Sequence, residues 1–186
     1  MLRLRFVALM LLATTALSQA AWADDRPLKG VALVIGESDY ATLQKLDNPK
    51  RDARAMDDML DSLGFSVDRV LDGDARKLRA EIADFVDEAK DADVALVYYS
   101  GHGIEAGGSD FMVPTDTDLK TPESAGQSLV PVSDLLDQLA RAVPVTIVLL
   151  DACRTNSFPA GQLVQLPGSG APVEVAPSGL GAVRGP

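Results

Sequence analysis

The stretch GVALVIG at residues 30–36 decides the fold class of this 186-residue chain. It is a continuous apolar run between two glycines, which is typical of a β-strand buried on both faces. The apolar runs VALVYY at 94–99 and VTIVLL at 145–150 predict two more buried strands. The stretch FSVDRVL at 65–71 alternates apolar and polar residues, as a strand nearer a sheet edge does. We therefore expect these four strands in one sheet.

Helical periodicity separates the strands. Apolar residues recur at helical spacing in three segments that begin at Asn48, Asp74 and Ser133, each a residue type that can cap a helix. The stretch 103–127 is loop-rich, with a hairpin turn at Gly107-Gly108. Strands that alternate with helices predict an α/β fold, in which a mainly parallel sheet is flanked by helices through right-handed crossovers.

The first 23 residues have the composition of a secretory signal peptide. Arg3 and Arg5 precede an apolar core at 6–16, and Ala-Trp-Ala at 21–23 fits a cleavage site before Asp24. The apolar core is too short for a membrane anchor, which needs about 20 residues. We therefore expect export to the periplasm or beyond the cell, with no membrane association after cleavage.

Composition limits the partners of the mature chain. The formal net charge is −10, and removal of Arg3 and Arg5 takes it to −12. Such a chain repels phosphate backbones, so we expect no nucleic acid partner and favour peptides or proteins with basic residues. The length fits one domain over 24–158, followed by a Gly/Pro-rich loop or disordered tail over 159–186. The sequence leaves the oligomeric state open.

The chain contains one histidine and one cysteine, and each follows an apolar strand. His102 follows the predicted strand at 94–99 and Cys153 the strand at 145–150, so both should reach the same sheet edge. An imidazole there can take the thiol proton and later protonate a leaving amine. The backbone N–H groups of Gly103 and Cys153 are candidate oxyanion donors. The alternatives are a structural histidine and a core cysteine, whereas zinc would need carboxylates for its remaining ligands.

Two blocks around these residues resemble a known family. YYSGHG at 98–103 and LLDACR at 149–154 are similar to the signature blocks of the caspase-like cysteine peptidases, peptidase family C14, and above all to the bacterial metacaspase-like branch. His102 lies 51 residues before Cys153, close to the spacing of about 50 in caspases. The segments LVIG at 33–36 and FMVPTD at 111–116 also match in family order.

The resemblance implies a three-layer caspase-like fold and a cysteine endopeptidase. His102 would be the base and acid, Cys153 the nucleophile that forms a thioester, and Gly103 an oxyanion donor, with no cofactor required. Some metacaspase relatives are activated by calcium. An acidic cluster follows His102, but it has no EF-hand spacing, so we assign no metal site. Its members are Asp110, Asp116 and Asp118.

Three residues fall on the family positions that form an acidic substrate pocket: Asp52, Ser100 and Asp151. Two carboxylates beside the nucleophile would pair with arginine or lysine before the cleaved bond, and would disfavour aspartate. The alternatives are a solvated carboxylate in the first turn of a helix for Asp52 and a loop cap for Asp151.

The match departs from the family in two places. The family's sheet continues past the catalytic cysteine with further strands that complete the substrate cleft, whereas no such strands are predicted here. The second hypothesis is therefore a non-catalytic caspase-like module that binds peptides, or an inactive fragment. Glu37 stands where relatives often carry asparagine. A nucleotide-binding domain would rest on residues 34–36 alone, without a G-x-G-x-x-G run or a P-loop.

Overall fold

The computed structural model describes residues 26–152 and 157–181. The predicted signal peptide and Cys153 lie outside the described residues, so the expectations about cleavage, export and the position of the thiol stay predictions. Within the described residues, no helix is long and apolar enough to cross a membrane.

The chain alternates strands with helices, as the sequence predicts. The described strands are β1 (Gly30–Gly36), β2 (Ser66–Leu71), β3 (Val94–Gly101), β4 (Gly103–Ala106), β5 (Ser109–Met112), β6 (Val130–Pro131), β7 (Val145–Ala152), β8 (Leu163–Val164) and β9 (Val173–Glu174). The described helices are α1 (Pro49–Ser62), α2 (Ala75–Ala89), α3 (Pro122–Ser128) and α4 (Val132–Ala142).

Four parallel strands form the main sheet, in the order β2-β1-β3-β7. Every residue of β1 is buried, because the strand has neighbours on both sides and helices on both faces. Alternate side chains of β1 and β3 point to opposite faces. One set packs with α2 and α4, and the other with α1. The expected α/β fold with three layers and a mainly parallel sheet is therefore confirmed.

The helix starts differ in detail from the sequence expectation. Asp74 caps α2 by accepting a hydrogen bond from the backbone N–H of Lys77. The side chain of Asn48 makes no such bond at the start of α1, where Pro49 occupies the first position. Helix α4 begins at Val132, so Ser133 lies inside its first turn and is not the cap. The buried Val132 is already part of α4, so the helix begins one residue before the serine that the sequence suggests as its cap.

Helix α3 lies in the stretch that the sequence analysis treated as loop. A reciprocal pair of hydrogen bonds between Thr121 and Ser124 caps its start. The helix has only 7 residues, which is too short for a helical period to show in the sequence.

Strand β7 is half-exposed, which corrects the expectation of a strand buried on both faces. Its burial alternates along the strand, and Val145, Ile147 and Leu149 are 47%, 39% and 42% exposed. Helix α1 packs on β1, β2 and β3, so this face of β7 has no cover among the described residues. β7 is also the edge of the described sheet.

Residues 159–181, which belong to the stretch 159–186 expected to be loop or disordered tail, form a packed irregular segment. β8 pairs with β9 in a short antiparallel ladder. Val164 and Val175 join Ile104 and Phe111 in a second hydrophobic cluster. This cluster lies beside the β4–β5 hairpin, whose turn is formed by two glycines with positive φ at 107 and 108, as predicted.

A substitution at Gly126 can test whether the segment 159–181 is packed against α3. A Cβ at Gly126 of α3 would lie 2.0 Å from the carbonyl oxygen of Gln165, so Gly126→Ala must displace either the helix or the segment. We expect a loss of about 1–3 kcal/mol in the free energy of unfolding, and faster proteolysis within 159–181. A Cβ at Gly170 meets nothing within 4 Å, so Gly170→Ala is the control. Equal proteolysis of the two variants would contradict the packing described here.

Glu37 follows β1 directly and is fully buried. Its backbone N–H donates to the carbonyl of Ser100 over 2.9 Å, and its Oε1 accepts from the N–H of Gly73 over 3.1 Å. Its Oε2 has no hydrogen-bond partner in the part of the chain that the structure describes. Burial raises the pKa of Glu37 to about 8, against the lowering effect of the Gly73 bond, and the nearby Asp72 carboxylate adds to the rise. The carboxyl is therefore mainly protonated at neutral pH.

This raised pKa predicts how stability depends on pH. The folded state holds the Glu37 proton from the ordinary pKa of 4.5 up to about 8, so the associated stability is present below 4.5 and is lost as pH rises through 8. Glu37→Gln should remove this loss and exceed the wild type by on the order of a few kcal/mol at pH 8. Urea unfolding at pH 5 and pH 8 measures it, with the exposed Glu174→Gln as control. Parallel pH curves for wild type and Glu37→Gln would refute the expectation.

Candidate functional site

The candidate site lies at the carboxyl ends of β3 and β7. The two strands are in parallel register, with Ser100 opposite Asp151 and Gly101 opposite Ala152. His102 follows Gly101 directly, between β3 and β4. Open parallel sheets bind their ligands at this edge.

The imidazole of His102 is buried and has a defined tautomer. The residue is 3% exposed, and its Nε2 lies 2.7 Å from the carbonyl oxygen of Gln44. A carbonyl oxygen only accepts hydrogen bonds, so Nε2 carries the hydrogen and Nδ1 carries the lone pair. Nδ1 has no hydrogen-bond partner among the described residues. It is therefore the nitrogen that can accept a proton.

Burial also sets the charge of this imidazole. It lowers the pKa of His102 below the ordinary value of 6.5, and the hydrogen bond to the Gln44 carbonyl opposes this shift only in part. The imidazole is thus neutral at pH 7, which is the state that a general base requires.

The backbone N–H of Gly103 points away from the β4–β5 hairpin. The N–H of Val113 donates to the carbonyl of His102 over 3.1 Å, so 102 and 113 form a hydrogen-bonded pair of the antiparallel ladder. Gly103 and Met112 are then a non-hydrogen-bonded pair. On the same outer side of β4, the carbonyl of Glu105 accepts from Ala176. The Gly103 N–H is therefore directed toward the outer edge, where a developing oxyanion could lie.

A cavity of about 240 Å³ lies next to His102. It brings together the three residues expected to form the substrate pocket, Asp52, Ser100 and Asp151. Asp47 adds a third carboxylate that the sequence analysis did not identify. The complete lining is Leu46, Asp47, Asn48, Pro49, Asp52, Ser100, Gly101, Asp151 and Ala152. The cavity thus combines carboxylates from α1 and β7 with polar backbone from β3.

Tyr98 does not line the cavity but binds Asp151, which does, and sequence reasoning missed it. Its hydroxyl donates to Oδ2 of Asp151 over 3.1 Å. Burial raises the pKa of Tyr98 to about 12, and the nearby carboxylates of Asp151 and Asp52 add to the rise. The phenol therefore stays protonated and orients the Asp151 carboxylate. The signal was present in the sequence, since Tyr98 and Ser100 share one face of a strand with period two.

The acidic residues downstream of His102 accept hydrogen bonds from backbone N–H groups. Oδ1 of Asp110 accepts from the N–H of Gly181, that of Asp116 from Ala75, and that of Asp118 from Lys120. Among the described residues, no group of three or more His, Cys, Asp and Glu side chains could hold a metal ion. These carboxylates are accounted for by loop and helix capping.

Comparison with known proteins adds to this geometry. The family model described as caspase domain matches residues 29–178. Human mucosa-associated lymphoid tissue lymphoma translocation protein 1 is 32% identical over 135 residues, which are 72% of this chain and 16% of that protein. Metacaspase-6 from Arabidopsis thaliana is 28% identical over 148 residues, covering 68% of this chain and 38% of the relative.

Solved structures show the same fold. Protein GSU0716 from Geobacter sulfurreducens superposes with a TM-score of 0.55 at 20% identity, covering 69% of this chain and 52% of that one. The Drosophila initiator caspase Dronc gives 0.53 at 15% identity, covering 73% and 53%. The chain thus spans about half of each solved relative. Because the family model matches most of the chain, from 29 to 178, the chain belongs to the caspase domain family of cysteine peptidases.

Proposed function

We propose that this chain is the catalytic part of a cysteine endopeptidase in which Cys153 is the nucleophile and His102 the general base. The observation that carries the proposal is the imidazole of His102. Its tautomer is set by Gln44, burial lowers its pKa so that it is mainly neutral at pH 7, and its Nδ1 has no hydrogen-bond partner among the described residues.

Strand register supports the pairing. Gly101 and Ala152 are opposite each other in neighbouring strands, which lie about 4.8 Å apart. Cys153 directly follows Ala152 in the sequence, as His102 follows Gly101. The proposed dyad would therefore form at the sheet edge where Gly101 and Ala152 are paired.

The chemistry follows from these groups. Nδ1 of His102 takes the proton of the Cys153 thiol, and the thiolate attacks the carbonyl carbon of the substrate peptide. The oxyanion that forms would accept hydrogen bonds from the N–H groups of Gly103 and Cys153. The imidazolium then gives its proton to the leaving amine as the carbon–nitrogen bond breaks. A water molecule, deprotonated by the same imidazole, hydrolyses the thioester and regenerates the thiol.

The acidic cavity supports cleavage after arginine or lysine. Asp52 and Asp151 line it together with Ser100 and Asp47, so a guanidinium or ammonium group would find several oxygen acceptors. An aspartate side chain would face carboxylates of its own sign. Peptides with basic residues are therefore the proposed substrates.

A non-catalytic peptide-binding module is the second candidate. The observation that favours it is the open edge and half-exposed face of β7, with Ile147 and Leu149 exposed. A module of this kind needs no activated thiol, and the reactivity of Cys153 separates the two candidates.

The dyad is tested by activity and by labelling. Cys153→Ala should abolish hydrolysis of an arginyl fluorogenic peptide, and His102→Ala should lower it by at least about 100-fold, the usual loss for a general base. An arginyl chloromethylketone should label wild-type Cys153 rapidly at neutral pH and the His102→Ala variant slowly. Unchanged hydrolysis in Cys153→Ala would overturn the assignment. Labelling of the wild type no faster than a free thiol would favour the binding module.

The basic specificity is tested with neutral carboxamides. Asp151→Asn and Asp52→Asn should each lower kcat/KM for an arginyl substrate by about 10- to 100-fold, because each removes a charge-assisted hydrogen bond. Hydrolysis of the citrulline analogue, which is uncharged, should change much less. Asp58→Asn, an exposed carboxylate on the same helix α1, is the matched control. Full retention of arginine preference in both pocket variants would contradict the proposal.

A further inference from the structure

We propose that Tyr40 and Tyr99 are positioning residues for His102, because their hydroxyl groups bind the two main-chain polar groups of that residue. The functional part of this inference rests on the proposed role of His102 as the base. The geometric part does not, and it can be measured separately.

Each main-chain polar group of His102 has its own tyrosine hydroxyl. The backbone N–H of His102 donates to the Tyr40 hydroxyl over 2.8 Å. The Tyr99 hydroxyl donates to the His102 carbonyl oxygen over 2.6 Å, since a carbonyl can only accept. These two residues, the tyrosine pair, therefore hold the main chain of His102 at both of its polar groups.

Val113 connects the tyrosine pair to the hairpin. Its N–H donates to the Tyr99 hydroxyl over 3.2 Å. The same N–H also donates to the His102 carbonyl over 3.1 Å. Because Val113 directly follows β5, the position of His102 is tied to the end of the hairpin as well as to β3.

The tyrosine pair is buried and stays protonated. Tyr99 is 0% exposed and Tyr40 is 3% exposed. Burial raises the pKa of both hydroxyl groups well above the ordinary value of 10. Both therefore remain protonated over any pH at which the imidazole works, so Tyr99 always has the hydrogen that it donates to the His102 carbonyl.

Tyr40 also contacts the imidazole itself. The two ring centroids are 4.4 Å apart, with the planes tilted by 43°. Gln44, which binds Nε2, lies in the same loop after β1. This loop therefore holds the side chain of His102 from two directions while the tyrosine hydroxyls hold its backbone.

Gly101 shows how closely the tyrosine pair approaches the chain. A Cβ there would lie 2.7 Å from the Tyr99 hydroxyl and 2.8 Å from the Tyr40 hydroxyl. Only glycine leaves room for both oxygens, and Gly101 also lines the acidic cavity. Gly101 therefore lies beside both the tyrosine pair and the cavity.

The test uses the fact that His102 is the single histidine. In untagged protein, one set of imidazole nitrogen-15 NMR signals reports its tautomer and its titration. We expect the wild type to show a fixed Nε2–H tautomer with a midpoint below 6.5. In Tyr40→Phe the imidazole should become more hydrated, so its midpoint should rise toward the ordinary value, and kcat should fall by about 3- to 10-fold with little change in KM.

Tyr98→Phe is the matched control, since Tyr98 is the third and last tyrosine of the chain. Its hydroxyl binds Asp151 and not His102, so this variant should raise KM for an arginyl substrate and leave the imidazole titration unchanged. A purely structural role for Tyr40 would lower stability without moving the titration of His102.

Each outcome decides the proposal. A wild-type titration and kcat in a folded Tyr40→Phe variant would overturn it. Tyr99→Phe should give the same direction of change. If either variant fails to fold, amide exchange in the wild type decides. The His102 N–H, which is bonded to the Tyr40 hydroxyl, must exchange slowly, and rapid exchange would overturn the proposal. A shifted titration together with activity that does not need Cys153 would keep the positioning role and remove the peptidase assignment.

Discussion

The parallel register between β3 and β7 determines where the candidate site lies. It sets Ser100 opposite Asp151 and Gly101 opposite Ala152, so that two residues of the acidic cavity and both residues preceding the proposed dyad meet at one sheet edge. A slip of one residue would turn every side chain of β7 to the other face. Asp151 would then leave the cavity, and Tyr98 would lose its hydrogen-bond partner. The proposed binding and the proposed catalysis thus depend on the same pairing of main chains.

The loop after β1 carries the polar groups that such a site needs in a buried place. Glu37, Tyr40 and Gln44 all reach the neighbourhood of His102 from this loop. Tyr40 and Gln44 each have a bonded partner there, whereas Glu37 avoids the desolvation of a charge by keeping its proton, as its pKa of about 8 shows. Its Oε2 is buried without a hydrogen-bond partner among the described residues, which opposes stability.

The sequence predicted the strands, the helices and their order better than the tertiary contacts between them. The glycine-bounded run at 30–36, the capping aspartate at 74 and the strand-end histidine each have a local pattern, and the fold follows from them. The half-exposed face of β7 could not be inferred, since it depends on how far α1 extends across the sheet. The packed segment at 157–181 has no periodicity to read, because isolated residues such as Val164 supply its contacts. The roles of Tyr40 and Gln44 could not be inferred either, since both residues bind His102 through tertiary contacts.

The alternation of side chains along β3 separates the proposed substrate pocket from the residues that hold the proposed base. Tyr98 and Ser100 point to the face of α1 and serve the acidic cavity, whereas Tyr99 points to the opposite face and binds the main chain of His102. The electrostatics follow this division. The carboxylates of Asp151 and Asp52 raise the pKa of Tyr98, while the pKa of His102 responds first to burial and then to the Gln44 carbonyl. Negative charge close to the imidazole would favour its protonated form and weaken it as a base. The carboxylates lie on one face of β3, and Tyr99, which binds the main chain of His102, lies on the other. An acidic pocket and a neutral imidazole can therefore occur within a few residues of each other.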